Sequence, residues 1–232
     1  SKKRNYLLIP DEFEVLGTDG VTFSFWMNSS FPESHENYVV DMRNTQAVSA
    51  GNGATRFVIS KWANQPLVAT YEYSYQPNNP GYSTSFNIDA YPQYKNTWIY
   101  LSVVFYDFGQ VEMYINGNLV STSTCPAVDF KLLAGSSSCC SSKRIGAEFH
   151  NNWQNYEGLI DEFTIWNKTL SLNEIQQYMN CSPVGNESGL SGYWKIESGA
   201  GTVVNDLSGN NNHGVFVNNI SNFWSSNVPI QN

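Results

Sequence analysis

The stretch "TWIYLSVVFYDFGQVEMYINGNLVSTS", Thr97 to Ser123, decides the fold. Its two alternating runs are broken by Asp107-Phe108-Gly109 and by Asn116-Gly117. Gly and Asn enter positive-φ backbone at little cost. An Asn-Gly pair between alternating runs is a strong hairpin signal. Two tight reversals, and so three short antiparallel strands in series, are expected here.

The same pattern extends outward. "NYLLIPD" (Asn5 to Asp11) is a short apolar strand ending at a Pro-Asp turn. "GVTFSFWMNSS" places Val21, Phe23, Phe25 and Met27 on one face and Thr22, Ser24, Trp26 and Asn28 on the other. "NYVVDMR", "RFVISKW" and "PLVATYEYSY" continue the series, with "NTQAVSAGNGAT" and "QPNNPGYSTSFN" as polar loops. A strand from Arg144, "GLIDEFTIWN", "SGYWKIE", "TVVND" and "GVFVNNI" follow. The period changes once. In "TLSLNEIQQYMN", Ser171 is a helix N-cap with Glu174 at the capping-box offset, and Leu172, Ile175 and Tyr178 are helically spaced. This predicts one short helix near 171–179. About a dozen short strands with turn signals and a single helix predict an all-β fold, an antiparallel two-sheet jelly-roll sandwich.

Composition agrees: aromatic residues make up 15% and charged residues 14% of 232, a mixture suited to strands and turns. A chain of this size buries a core without needing disulfides or metals. The net charge of −8 excludes a nucleic-acid partner, which would need a Lys/Arg surplus on one face. The basic cluster Lys2-Lys3-Arg4 reads as a solvated terminus. No apolar run approaches the length of a membrane span. The first residues do not follow a signal-peptide pattern, as expected of a secreted protein after processing.

The four cysteines, Cys125, Cys139, Cys140 and Cys181, fit no metal or redox spacing. Ring strain disfavours a bridge between the neighbours. Cys139 and Cys140 are therefore expected to reach separately to Cys125 and Cys181, in an order left open. Sequons begin at Asn28, Asn167, Asn180, Asn186 and Asn219. With the even cysteine count they indicate an extracellular or cell-surface protein.

Three motifs together resemble the laminin-G-like, concanavalin A-like jelly-roll family: the opening stretch, "YEGLIDEFTIWNKTLSLNEIQQY", and "GLSGYWKIESGAGTVVNDLSGNNNHGVF" (Gly189 to Phe216). The third is similar to the family's N-terminal motif, yet here it follows the helix. The chain is expected to be a single domain over 1–232, with 189–232 equivalent to the family's leading strands. Two accounts stay open. The segment folds back onto its own sheets, as in a circular permutation, or it completes the sandwich of a neighbouring unit in an array.

The resemblance implies that the loop from Asp206 binds Ca2+ with help from Asp161. Ser208, Asn210, Asn212 and the His213 carbonyl are further candidate ligands, an oxygen-rich set suited to a hard cation. An Asx-turn without metal is the competing reading. Asn211 stands where the family usually has Gly, and Asn tolerates left-handed backbone better than other non-Gly residues. For glycan binding the candidates are Tyr73, Tyr75, Tyr82 and Trp153, whose rings could stack on sugars; packing against the sheet competes with this for each. Catalysis is not expected. Glu157, Asp161 and Glu162 lack the alternate spacing of a glycosidase carboxylate pair, and His35, His150 and His213 lie in loops without a nucleophile motif. The expectation is a calcium-stabilised structural or adhesive module of a larger surface or fibre-forming protein, whose partners are copies of itself or adjacent repeats. A calcium-dependent lectin domain, with extracellular glycans or proteins as partners, is the alternative, and a glycoside hydrolase-like enzyme the third.

Overall fold

The computed structural model of the chain describes residues 5–13, 15, 19–32, 36–44, 55–73, 82–124, 142–148, 155–197, 199–217 and 225–229. Within them lie β1 (Tyr6–Ile9), β2 (Gly20–Asn28), β3 (Asn37–Asn44), β4 (Thr55–Lys61), β5 (Leu67–Tyr73), β6 (Tyr82–Phe86), β7 (Ile99–Tyr106), β8 (Gln110–Ile115), β9 (Asn118–Thr124), β10 (Ser142–Ile145) and β11 (Leu159–Trp166). The helix α1 (Leu172–Asn180) comes next, then β12 (Leu190–Trp194), β13 (Val203–Val204) and β14 (Gly214–Val217). They form an eight-stranded sheet, ordered β13-β14-β1-β10-β3-β4-β5-β6, and a six-stranded sheet, ordered β12-β11-β2-β7-β8-β9. The expected jelly-roll sandwich is what forms.

The opening stretch folds as β7, β8 and β9. Tyr106 pairs with Gln110 and Ile115 with Asn118. Asn116 and Gly117 take φ of 51° and 69°, the two positive values a type I′ turn requires. The inner faces of the sheets meet in one apolar core. Phe23 stacks on Phe57 across it at 3.7 Å between ring centres, and Phe25 stacks on Phe163 at 4.9 Å.

Period-2 reasoning put Thr22, Ser24 and Trp26 on a second face, and they lie there, but the face is buried. A second cluster of Trp26, Tyr100, Tyr114, Trp166, Ile175 and Tyr178 covers it. The helix is its lid: Tyr178 stacks on Trp166 at 4.7 Å. Thr22 Oγ1 donates to the Lys168 carbonyl and accepts from the Leu170 amide, so this polar residue is satisfied under the lid. The capping box at Ser171 and Glu174 forms as expected. Leu172, expected on the buried stripe, is 44% exposed. Its place is taken by Leu170, which precedes the cap and shares a cluster with Ile175, the N′ to N4 arrangement of a hydrophobic staple.

The displaced segment pairs within its own chain. In β12, Trp194 faces Phe163 and Tyr193 faces Thr164 of β11; in β14, Phe216 faces Leu7 and Val215 faces Leu8 of β1. One strand is thereby added beside β11 and another beside β1. Trp194 is fully buried, with Phe13 edge-on at 5.5 Å. Gly192 is required beside it, since a Cβ there would sit 2.2 Å from the Trp194 ring.

Candidate functional site

Asp206 accepts from β12 and Asp161 from the segment just after it, from opposite edges. Asp206 Oδ1 accepts from the amides of Tyr193 and Ser208, and Oδ2 from that of Asn212. Asp161 Oδ1 accepts from the amides of Glu162 and Ile196. Asp161 belongs to β11 on one side of β12, whereas Asp206 bridges Trp194 from the other side. A whole strand stands between the two carboxylates, which at the usual strand spacing puts them on the order of 10 Å apart.

Ser208, Asn210, Asn212 and His213 lie in the same turn and make hydrogen bonds within it and to β12. Ser208 Oγ donates to the Ser191 carbonyl, Asn210 Nδ2 donates to the Leu190 and Ser191 carbonyls, and the Asn212 carbonyl accepts from Trp194 Nε1. His213 Nδ1 accepts the Asp206 amide. Asn211 takes φ of 60° in the left-handed region, as its identity anticipated. Among the described residues no three His, Cys, Asp or Glu side chains gather as a metal site. The arrangement is an Asx-centred turn in which both Asp206 oxygens accept backbone amides, with Asp161 on the far side of β12.

Other expected residues are dispersed. Cys181, at the C-cap of α1, is exposed and unbridged among the described residues, and the three cysteines expected to pair with it lie outside them. Cys125, Cys139 and Cys140 lie outside the described residues, as do Tyr75, Trp153, His35, His150 and Asn219. Tyr73 ends β5 and Tyr82 begins β6. Asn167, Asn180 and Asn186 are exposed, and Asn28 is half-buried at the end of β2.

Sequence reasoning missed two features. On the outer face of the eight-stranded sheet, Asp41 is fully buried between Arg43 and Arg56, each Nε lying 2.9–3.0 Å from its Oδ1. Arg43 also pairs with Glu148 at 2.9 Å. The signal was present as a charged pair two residues apart in an apolar strand, "VVDMR". The second feature is a cleft of about 440 Å³ opening between the sheets. Leu7, Ile145 and Phe216 line it from one sheet, and Ile160 and Asp161 from the other. Trp98 and Asn155 also line it. Asn155 is 6% exposed and its Oδ1 has no hydrogen-bond partner among the described residues, the kind of buried acceptor that calls for a ligand or an ordered water. Trp98 Nε1 donates to Asn227 Oδ1 at 3.0 Å, tying the C-terminal segment to the rim. Burial pushes the Asp161 carboxyl up to about 6, and the neighbouring Glu162 charge adds to the rise. The cleft's lining mixes apolar side chains with as much polar surface, and its volume falls in the range of small-ligand sites.

An antiparallel two-sheet jelly roll, with the outer face of its six-stranded sheet lidded by one helix and a cleft between its sheets, is a concanavalin A-like sandwich. Residues 1–176 match the family model Laminin_G_3, described as the concanavalin A-like lectin/glucanases superfamily, and the chain belongs to this family. The match ends before β12. No curated protein matches the sequence. Among solved structures, it is similar to a Bacteroides ovatus protein classed as carbohydrate-binding, at 17% identity and TM-score 0.62, covering 91% of this chain and 55% of that one. It is also similar to the heptameric SAP-like pentraxin of Limulus polyphemus, at 12% identity and TM-score 0.53, covering 79% of each chain. A third is tailspike protein 2 of the Escherichia coli O157:H7 bacteriophage CAB120, at 13% identity and TM-score 0.53, covering 82% of this chain and 25% of that one. The chain thus spans just over half the length of the first and a quarter of the third. At these identities the likeness is one of fold.

Proposed function

We propose that the chain is a non-catalytic adhesive module of a larger extracellular protein, that its adhesion is to carbohydrate, and that the intersheet cleft is the sugar site. The observation that carries this is the buried Oδ1 of Asn155, unpartnered among the described residues, in a cleft also lined by Trp98. A sugar hydroxyl supplies the missing donor, and an indole offers a face to the ring's C–H groups. The resemblance to a protein classed as carbohydrate-binding supports the reading at the level of the fold.

Catalysis is not part of it. Asp161 and Glu162 are adjacent, and each is committed elsewhere: Asp161 to two amides, Glu162 to the Tyr193 hydroxyl and, at 3.8 Å, to Lys195. Binding is expected to persist in chelator, since the two carboxylates that calcium would join lie across a strand from one another. The test is retention on a printed array of defined oligosaccharides, followed by titration of the best-bound one. Asn155→Ala and Trp98→Ala are each expected to weaken it about tenfold, close to 1.4 kcal/mol, measured at a temperature where each variant's melting profile shows it folded. Wild-type affinity in both variants would refute the cleft as the site.

A further inference from the structure

The chain running from β6 to β7 crosses from one sheet to the other, and it carries an aromatic cluster on the way to Trp98. Phe86 and Tyr91 lie 4.8 Å apart, Tyr91 and Tyr94 stack at 5.8 Å, and Phe86 and Tyr94 are 6.3 Å apart. Phe86 and Tyr94 pack against the core, while Tyr91 is 40% exposed and forms the outward side of the cluster. Trp62, in the neighbouring β4–β5 turn, is 46% exposed. The cross-strand row Lys61–Leu67–Phe86 brings that turn and the crossover to the same end of the sheet.

The crossover is held by charge rather than by apolar packing alone. Lys61 is 1% exposed, and its ammonium lies 2.8 Å from Asp89, which also takes Lys95 at 2.9 Å. Asp89 sits in the first of two successive 3-10 turns, Ile88–Ala90 and Pro92–Tyr94. A buried ion pair adds little net stability over apolar residues of similar size, and its better-attested use is to specify one conformation. Here the conformation it specifies is the one that presents Tyr91. Preorganised contact surfaces lose less freedom on binding.

Tyr94 and Trp98 are four residues apart in the chain, so an extended backbone would separate them by at most about 14 Å. The aromatic cluster therefore lies within a few sugar rings of the cleft. We propose that the β6–β7 crossover is a second sugar-contacting surface continuous with the cleft, and that the ligand is an extended oligosaccharide rather than a single sugar. This rests on the cleft reading and assigns Tyr91 and Trp62 as its outer contacts.

The experiment is titration calorimetry of the wild-type chain with the di- to hexasaccharides of the cello-, manno-, xylo- and N-acetyllactosamine series. Wild-type affinity is expected to rise with length in the bound series. Trp62→Ala, and Tyr91→Ala compared below its own melting transition because it loses ring contacts with Phe86 and Tyr94, should flatten that rise. They should leave disaccharide affinity within about twofold, whereas removing a stacking ring from the longer ligands should cost about tenfold. Affinity independent of length, or hexasaccharide binding by Tyr91→Ala equal to wild type, overturns the second surface while leaving the cleft standing. Absence of binding at every length in every series overturns both.

Discussion

At the residue scale, Asp161 and Asp41 are both buried carboxylates with opposite titration behaviour. Burial raises Asp161 to about 6, with amides as its hydrogen-bond partners. Burial pushes Asp41 up as well, but Arg56 and Arg43 outweigh it and hold the carboxyl below its ordinary value. A carboxyl raised in the folded state binds more protons folded than unfolded, so its contribution falls as pH rises from the unfolded pKa near 4. For Asp161 that loss is complete above about 6. Asp41 contributes above the unfolded value, and its share is lost as pH falls through the folded one. Asp161→Asn keeps an oxygen for both amides and is expected to gain stability relative to wild type as pH rises from about 4 to about 6, then run parallel above it. Urea unfolding at each pH reads this, and parallel curves throughout would reject the raised carboxyl. Gly192→Ala presses a Cβ against the Trp194 ring and is expected to cost ~1–3 kcal/mol in the same assay.

At the scale of elements, α1 was the most legible part of the chain, because capping is local. Ser171, Glu174 and the staple from Leu170 to Ile175 lie within six consecutive residues, and their signal does not depend on the rest of the fold. Ser171→Ala removes the N-cap acceptor and is expected to lower stability by about 1 kcal/mol, with the loss of helical circular dichroism coinciding with global unfolding. The helix is the lid of the second cluster, so early separate melting would contradict that role. The strand alternation was legible too, but its meaning was not. Thr22, Ser24 and Trp26 read as a second face, and only the packed helix shows that this face is also interior.

At the scale of the molecule, β12 and β14 each pair within the chain. The isolated chain is therefore expected to be monomeric, with a melting temperature independent of concentration, since strand exchange between copies would make it rise with concentration. Calcium is expected to leave the melting temperature where it is. A rise of several degrees on adding millimolar calcium, reversed by chelator, would show that Asp161 and Asp206 close on an ion after all.

The amino-acid sequence by itself determined the strands, the hairpin at Asn116-Gly117, the capped helix and the family, because these follow from side-chain period and turn chemistry within short windows. It also anticipated the left-handed backbone at Asn211. Only the tertiary structure decided which edge each carboxylate serves, that Cys181 is exposed, and that Trp98 and Asn155 meet at one cleft. Those facts depend on residues far apart in the chain. Asp161 and Asp206 flank the same motif in the sequence. In space the motif is a strand, and a strand has two edges.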